Sequence, residues 1–170
     1  MRYWFDTEFI EDGKTIDLIS IGIVAEDGRA LYLENSECNL DRASPWVREN
    51  VIPHLKGGAD RWDRVAIATD IRAFVDPDRF GKPEVWAYYA DYDWVAMCQL
   101  FGTMMDLPKG WPMYCRDVKQ LCDDLGNPKL PKQDTTKHHA LADAKWTRDA
   151  WKYLTEVYAP MMARVANSKV

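Results

Sequence analysis

Residues 1–13 read MRYWFDTEFIEDG, and this stretch decides how the chain starts to fold. Aromatic and β-branched side chains dominate residues 2–10 and predict a strand, which a turn at residues 11–13 ends. Two carboxylates, Asp6 and Glu8, interrupt what is otherwise an apolar segment. Because alternate residues of a strand point to the same side, we expect both acids to project from one face.

The residues that follow extend this strand into a meander. Residues 16–25, IDLISIGIVA, and residues 30–35, ALYLEN, each predict a further strand. The Asp-Gly pair at positions 27–28 is a strong hairpin signal between them. The chain is therefore expected to begin with three antiparallel strands.

The rest of the sequence predicts mainly helices. Ser44 is suited to cap a helix that begins at Pro45 and is interrupted at Pro53. Further helices are predicted over residues 61–75, 91–101, 115–125 and 139–158, and a fourth strand over residues 84–90. This order predicts an α/β fold in which one mixed sheet is flanked by helices. We expect residues 1–165 to form a single domain and residues 166–170 a loose tail.

Composition narrows the classes of protein. The 170 residues are 47% hydrophobic and 29% charged, which fits one globular domain with a sizeable core. No apolar run approaches the ~20 residues of a membrane span, and no signal peptide is expected. The four cysteines form no CxxC pair, which favours a reducing, cytoplasmic location. The net charge of −5 argues against a broad basic surface for nucleic acid, unless several acids are metal ligands.

The pair Asp6 and Glu8 has two interpretations. Two such carboxylates can converge on divalent cations ~3.5–4 Å apart, the spacing of two-metal phosphoryl chemistry. Lysine or arginine partners would equally relieve the repulsion between the two acids. The strand by itself does not separate these interpretations.

Two later segments place further acids near predicted helix starts. Asp91 and Asp93 fall in the first turn of a helix, where the dipole favours an anion and where an acid can also act as a cap. Asp143 lies five residues after His138 and borders the apolar stripe of the last helix. A solvent-exposed helix face is the alternative for Asp143, and His139 is expected to be supporting or exposed.

Taken together, these three segments resemble the DEDDh 3′–5′ exonucleases, the DnaQ-like group with the RNase H-like fold. The motifs that carry the resemblance are FDTEF, ADYDWVAMCQL and HHALADA, which together span residues 6–143. The DTEFIEDG start, the AMCQL helix and the short single-domain length most resemble the polyadenylate-specific exoribonucleases of the RNase AS group. Many DnaQ-like proteins have an HNAxFD-type run where this chain has YYADYD, so substrate contacts from that position do not carry over.

The resemblance implies a two-metal site with Mg²⁺, for which Mn²⁺ can substitute. The implied metal ligands are Asp6, Glu8, Asp93 and Asp143. His138 would act as the general base that takes the proton from water. Candidate contacts to the terminal nucleotide, chosen because they adjoin these motifs, are Thr7, Phe9 and Trp94.

The implied substrate is the single-stranded 3′ end of RNA, and relatives of this kind are commonly homodimers. Basic residues late in the chain are candidates to guide the RNA backbone, with solvated loop charge as the alternative: Arg116, Lys119, Lys129, Lys132 and Lys137. Two other functions stay open, namely a DNA-trimming exonuclease and an RNase H-like module that binds nucleic acid without cutting it. Other enzyme classes lack motifs, since there is no HExxH, no GxSxG and no Gly-rich phosphate loop.

Overall fold

A long amino-terminal strand lies inside a mixed sheet in the computed structural model, which describes residues 1–133 and 137–167. The strands of this described part are β1 (Arg2–Glu11), β2 (Ile16–Ala25), β3 (Ala30–Asn35), β4 (Arg61–Trp62), β5 (Glu84–Ala87) and β6 (Arg116–Asp117). They are ordered β4-β3-β2-β1-β5-β6. The predicted meander is confirmed, because β1 pairs with β2 and β2 with β3 in antiparallel fashion. β5 then adds to β1 in parallel, which makes the sheet mixed.

Helices cover both faces of this sheet. They are α1 (Pro45–Asn50), α2 (Arg64–Phe74), α3 (Pro77–Phe80), α4 (Asp91–Phe101), α5 (Val118–Asp124), α6 (Ala140–Lys152) and α7 (Ala159–Asn167). The Ser44 side chain caps α1 as predicted, by accepting a hydrogen bond from the amide of Val47. The predicted α/β class is confirmed, and the mixed sheet between helices is consistent with an RNase H-like fold.

Aspartate caps move the start of two helices. The helix predicted from residue 61 begins at Arg64, because the Asp63 side chain accepts the amide of Ala66 at 2.7 Å. The helix predicted from residue 115 begins at Val118, where the Asp117 side chain caps the first turn. A two-residue strand that pairs with the sheet comes just before each helix, Arg61–Trp62 in one case and Arg116–Asp117 in the other, so the sequence prediction missed the short edge strands β4 and β6.

The last helix extends further than its predicted end near Tyr158. After α6, a π-helical segment at Tyr153–Tyr158 leads directly into α7. Pro160 is the second residue of α7 and has no amide proton to donate to the π-helical turn before it. α7 therefore includes the first two positions of the predicted tail, and the other three lie outside the described residues.

Side chains of β1 alternate between two hydrophobic clusters. Tyr3 and Phe5 pack in the larger cluster beneath α2 and α4. Trp4 points to the opposite face and contacts Trp151 of α6, with ring centroids 5.3 Å apart. The same alternation determines which helix each of the residues 6–8 of β1 faces.

Two global expectations bear on location. The four cysteines are free thiols. Among the residues that the structure describes, no helix combines the length and the apolar character needed to cross a membrane.

Candidate active site

A cavity of about 750 Å³ opens where the second half of β1 meets the start of α6. Six of the residues proposed from the sequence motifs line it: Asp6, Thr7, Glu8, Phe9, His138 and Asp143. The structure thus brings together side chains from the first and last thirds of the chain. Asp93 and Trp94 of α4 are not among the residues that line this cavity.

Because side chains alternate along β1, the residues of the motif Asp6-Thr7-Glu8 face two different helices, α6 and α4. Asp6 and Glu8 lie on the face of β1 that carries Trp4 and α6. Thr7 points to the other face and meets Asp93 in the first turn of α4. The Thr7 amide and hydroxyl both donate to Oδ1 of Asp93, at 2.7 Å and 2.6 Å. The single residue between the two acids therefore holds the third acid beside them.

Asp143 and His138 form the α6 side of the site. The His138 amide donates to Oδ2 of Asp143 at 2.8 Å, and the Gln133 side chain donates to Oδ1. His138 has a φ of 60°, a left-handed conformation that is uncommon for a residue other than glycine. Donor atoms of Glu8, His138 and Asp143 all lie within 4.8 Å of one another. The five-residue spacing works because His138 precedes α6 and folds back over its first turn.

The electrostatics of the site are those of crowded, buried carboxylates. Burial, followed by the charges of Asp93, Glu8 and Asp143, raises the pKa of Asp6 well above its ordinary value. Burial and then the charges of Asp143 and Asp93 raise the pKa of Glu8 to about 8. Burial also raises the pKa of Asp93, although the two hydrogen bonds from Thr7 oppose that shift. The charges of Asp93 and Asp143 therefore make both Asp6 and Glu8 harder to ionise.

This donor set fits a divalent cation. Within the described part of the chain, none of the ion pairs involves Asp6, Glu8, Asp93 or Asp143. The lysine or arginine partners of the alternative interpretation are thus not found there. Carboxylate oxygens are the ligands that Mg²⁺ and Mn²⁺ prefer, and a cation would relieve the mutual repulsion.

Aromatic candidates next to the motifs have different surroundings. A register shift in the pairing of β1 with β2 falls between Glu8 and Phe9. Phe9 lies at this bulge, lines the cavity and stacks on Tyr92 with centroids 5.8 Å apart and planes 9° apart. Trp94 instead packs edge-on against Phe5 in the core beneath α4. In a regular strand Phe9 would point to the face opposite Asp6 and Glu8. The bulge changes this alternation, and Phe9 reaches the cavity.

The late basic residues do not act as one group. Lys132 and Lys137 line the cavity. Lys119 pairs with Asp123 one turn later on α5, and Arg116 lies 3.9 Å from Glu84. Lys132 and Lys137 are thus placed to meet a substrate in this cavity, whereas Arg116 and Lys119 have carboxylate partners and Lys129 is exposed away from the cavity lining.

His139 has the supporting position expected of it, whereas the helix cap that Asp91 or Asp93 could have supplied is not seen, because the N-cap of α4 is Ala90. The His139 ring stacks on Tyr32, with centroids 4.4 Å apart, and burial lowers its pKa. Asp91 is exposed and lines a different cavity, on the outer side of α4. Of the two acids that begin α4, only Asp93 turns toward β1, as the sequence motif indicated.

Several contributors were missed in the sequence. Gln133 lies in a loop whose composition gives no signal of a contact to Asp143. Trp46 of α1 meets the His138 ring edge-on at 4.8 Å, although nothing in the local pattern links them. Asp117 accepts the amides of Tyr89 and Ala90 at 3.3 Å and 3.1 Å and so anchors the start of α4. An aspartate before a helical run is a cap signal, and that signal could have identified Asp117.

Comparison with known proteins agrees with this arrangement. The profile of the 3′–5′ exoribonuclease Rv2179c-like domain family matches residues 1–155. The chain therefore belongs to this family, which places it among the exonucleases, a class of hydrolases. Two similar proteins come from Mycobacterium tuberculosis: the 3′–5′ exoribonuclease MT2234.1 of strain CDC 1551 / Oshkosh and the 3′–5′ exoribonuclease Rv2179c of strain ATCC 25618 / H37Rv. Each is 46% identical to this chain over 147 residues, covering 85% of this chain and 88% of the relative.

Proposed function

We propose that this protein is a divalent-metal-dependent 3′–5′ exoribonuclease of the DEDDh type, which releases nucleoside monophosphates from the 3′ end of RNA. The observation that carries the proposal is the group of buried carboxylates at one cavity with no cationic partner among the described residues. Family membership and the printed names of the relatives support the reaction and its direction.

The carboxylates of Asp6, Glu8, Asp93 and Asp143 would hold two Mg²⁺ ions, or Mn²⁺ in their place. Four negative charges against two dications leave the site close to neutral before the phosphate of the substrate arrives. When bound, such ions activate water and stabilise the leaving oxygen of a phosphodiester. The raised pKa values of Asp6 and Glu8 support this assignment, because a cation is the partner that favours their charged forms.

His138 is the proposed general base. Its ring lies at the cavity within reach of Glu8 and Asp143, where it can take a proton from the attacking water. The hydrogen bond from its amide to Asp143 ties the position of this ring to the start of α6. Histidine is the side chain that enzymes use most often as a general acid or base.

The substrate contacts proposed here come from the cavity walls. Phe9 offers an aromatic face for the terminal base, and base stacking of this kind is worth ~1–3 kcal/mol. Lys132 and Lys137 can pair with backbone phosphates. Thr7 also lines the cavity. We assign Trp94 a packing role, because its side chain packs from α4 against the larger hydrophobic cluster.

A preference for adenylated 3′ ends is the narrowest part of the proposal. It rests on the resemblance to the RNase AS group and on the aromatic walls of the cavity, to which a purine presents more stacking area than a pyrimidine. These walls contain Phe9, Trp46, Tyr88, Tyr89 and Trp146.

We further infer that residues 1–165 act as one domain and that the protein works in the cytoplasm as a homodimer. The site draws on β1, α4 and α6, so the unit that contains it extends at least from residue 2 to residue 152. Free thiols suit a reducing compartment. α7 has no buried residue, and Met161 and Met162 are 48% and 46% exposed, which supports a partner surface there.

Homopolymer digestion tests the proposed function directly. RNA oligomers of A, U and C, each labelled at either end, are incubated with Mg²⁺, with Mn²⁺ and with a chelator. We expect immediate release of the 3′ label as a monophosphate, progressive shortening of the 5′-labelled RNA, fastest loss of oligo(A), and no reaction in chelator. Matched DNA oligomers separate the RNA enzyme from a DNA-trimming one.

Two neighbouring aspartates provide a matched pair for this assay. Asp93→Asn removes a proposed ligand, whereas Asp91→Asn changes an exposed acid in the same helical turn. We expect the first variant to lose most of its activity and the second to match the wild-type protein. Binding of RNA without any metal-dependent release of monophosphates would overturn the proposal and favour the non-cleaving module.

A further inference from the structure

The start of α6 lies directly on Gly22 of β2. A Cβ atom built on Gly22 would be 2.3 Å from the amide nitrogen of Leu141 and 2.4 Å from the carbonyl carbon of Ala140. Both distances are far inside 3.0 Å, a separation below which real Cβ atoms essentially never approach another atom. The atoms in the way belong to the helix backbone, so no side-chain rotation could make room.

Space, and not backbone conformation, is what requires a glycine here. Gly22 is not among the glycines with a positive φ. The helix also meets the sheet through small side chains, since Ala140 and Ala144 are fully buried and Thr147 is 1% exposed. Sheet and helix therefore approach more closely here than ordinary side chains would allow.

Gly22 is also adjacent to the first proposed ligand. It pairs with Asp6 in the antiparallel register of β1 and β2, and directly paired residues lie on the same face of a sheet. Asp143 and His138 are carried by the first turn of α6 and by the residue two positions before that helix. The distance between Asp6 on β1 and the Asp143–His138 pair on α6 therefore depends on how closely α6 approaches β2 at Gly22.

We infer that Gly22 is a positioning residue: by lacking a side chain, it sets the distance between the carboxylates of β1 and the Asp143–His138 pair. The inference rests on the proposed metal site, whose donor atoms on Glu8, His138 and Asp143 lie within 4.8 Å of one another. A methyl group at position 22 must lift the start of α6, and that displacement separates the ligands on the two elements.

Metal titration of Gly22→Ala tests this inference. Calorimetric titration with Mn²⁺ is carried out on protein whose folding is checked by circular dichroism. Supporting residues around metal ligands typically change metal affinity ~10–100-fold, and we expect a loss of affinity in that range. RNA hydrolysis should show the same defect as a higher Mn²⁺ requirement, and excess Mn²⁺ should recover part of the rate.

Ile23→Val is the matched control. Ile23 is the next residue of β2, 1% exposed, and packs in the core on the opposite face. This change costs ~0.5–1.5 kcal/mol of stability, but it leaves the contact with α6 alone. We expect a lower melting temperature with an unchanged Mn²⁺ affinity, which separates positioning from general destabilisation.

A second variant keeps the inference testable if Gly22→Ala does not fold. Ala144→Ser adds one oxygen atom at a fully buried position one turn further along α6, and we expect a smaller loss of Mn²⁺ affinity. Wild-type affinity in folded Gly22→Ala, or in Ala144→Ser if the first variant is unfolded, would overturn the inference. Failure of the wild-type protein itself to bind Mn²⁺ would instead overturn the proposed function, and this inference with it.

Discussion

Thr7 donates two hydrogen bonds to a single oxygen of Asp93, from its amide at 2.7 Å and from its hydroxyl at 2.6 Å. This contact links β1 to α4 across 86 positions of the sequence. It fixes one carboxylate oxygen of Asp93 while Asp6 and Glu8 point from the other face of the same strand. The middle residue of the first motif is thus part of the site, because it orients an acid that the strand does not carry.

Removal of the Thr7 hydroxyl should therefore reduce activity. Hydrogen bonds to charged groups are worth ~1.5–3 kcal/mol, so we expect Thr7→Val to lower kcat/KM about 10–100-fold. The remaining amide bond should preserve the fold. Thr155→Val, which removes a hydroxyl bonded to the carbonyl of Trp151 outside the site, is the control and should hydrolyse RNA normally. Wild-type kcat/KM in Thr7→Val would show that Asp93 needs no such support.

Neutralising Glu8 should stabilise the metal-free protein. Its folded pKa is raised from 4.5 to about 8, so the folded state binds this proton more tightly than the unfolded state. The contribution of Glu8 to the free energy of unfolding is then greatest below pH 4.5 and falls as the pH rises toward 8, at up to ~1.4 kcal/mol per pH unit. In chelator at neutral pH, Glu8→Gln should melt at a higher temperature than the wild-type protein.

Metal should reverse that order. Mn²⁺ raises the melting temperature of a protein that binds it in the folded state, and Glu8→Gln lacks one proposed ligand. We expect a large Mn²⁺-dependent increase for the wild-type protein and a small one for the variant. Glu49→Gln, at an exposed position of α1, should behave as wild type throughout. A lower melting temperature of Glu8→Gln in chelator would contradict the prediction.

The two adjacent histidines should have separable roles. General acid–base catalysis contributes ~10²–10⁴-fold, so His138→Ala should lose activity in that range while it still binds Mn²⁺ and RNA. His139→Ala removes the stack on Tyr32 and should mainly lower stability, by ~1 kcal/mol. Steady-state hydrolysis, Mn²⁺ titration and thermal melting of both variants check this. Retained turnover of His138→Ala at neutral pH would exclude it as the base.

Substitutions of the two aromatic candidates, Phe9 and Trp94, should have different effects. Phe9→Ala removes a stacking face worth ~1–3 kcal/mol, which predicts a KM for RNA about 5–150-fold higher with kcat less affected. Trp94→Leu alters the packing against Phe5 and should lower the melting temperature with little change in KM. An unchanged KM in Phe9→Ala would show that the Phe9 ring does not bind the substrate. A raised KM in Trp94→Leu would show that Trp94 does contribute to substrate binding.

Local sequence signals predicted much of this molecule. The alternation in residues 2–10 and the Asp-Gly turn identified the meander, because strand and hairpin signals act over a few neighbouring residues. The predicted starts of two helices were less accurate, because a short edge strand comes just before the helix and an aspartate, Asp63 or Asp117, caps the helix start. Those two-residue strands exist only because a neighbour in the sheet pairs with them, which no local pattern encodes.

The sequence by itself determined which side chains carry the chemistry: two acids one strand step apart, an acid at a helix start, and a histidine five residues before another acid. Only the tertiary structure decided how they meet. Thr7 turns Asp93 toward β1, Gln133 and Trp46 join from distant segments, and Gly22 lets α6 approach the sheet. The physical reason is that residue type and spacing fix local conformation, whereas the distance between two elements depends on the atoms packed between them.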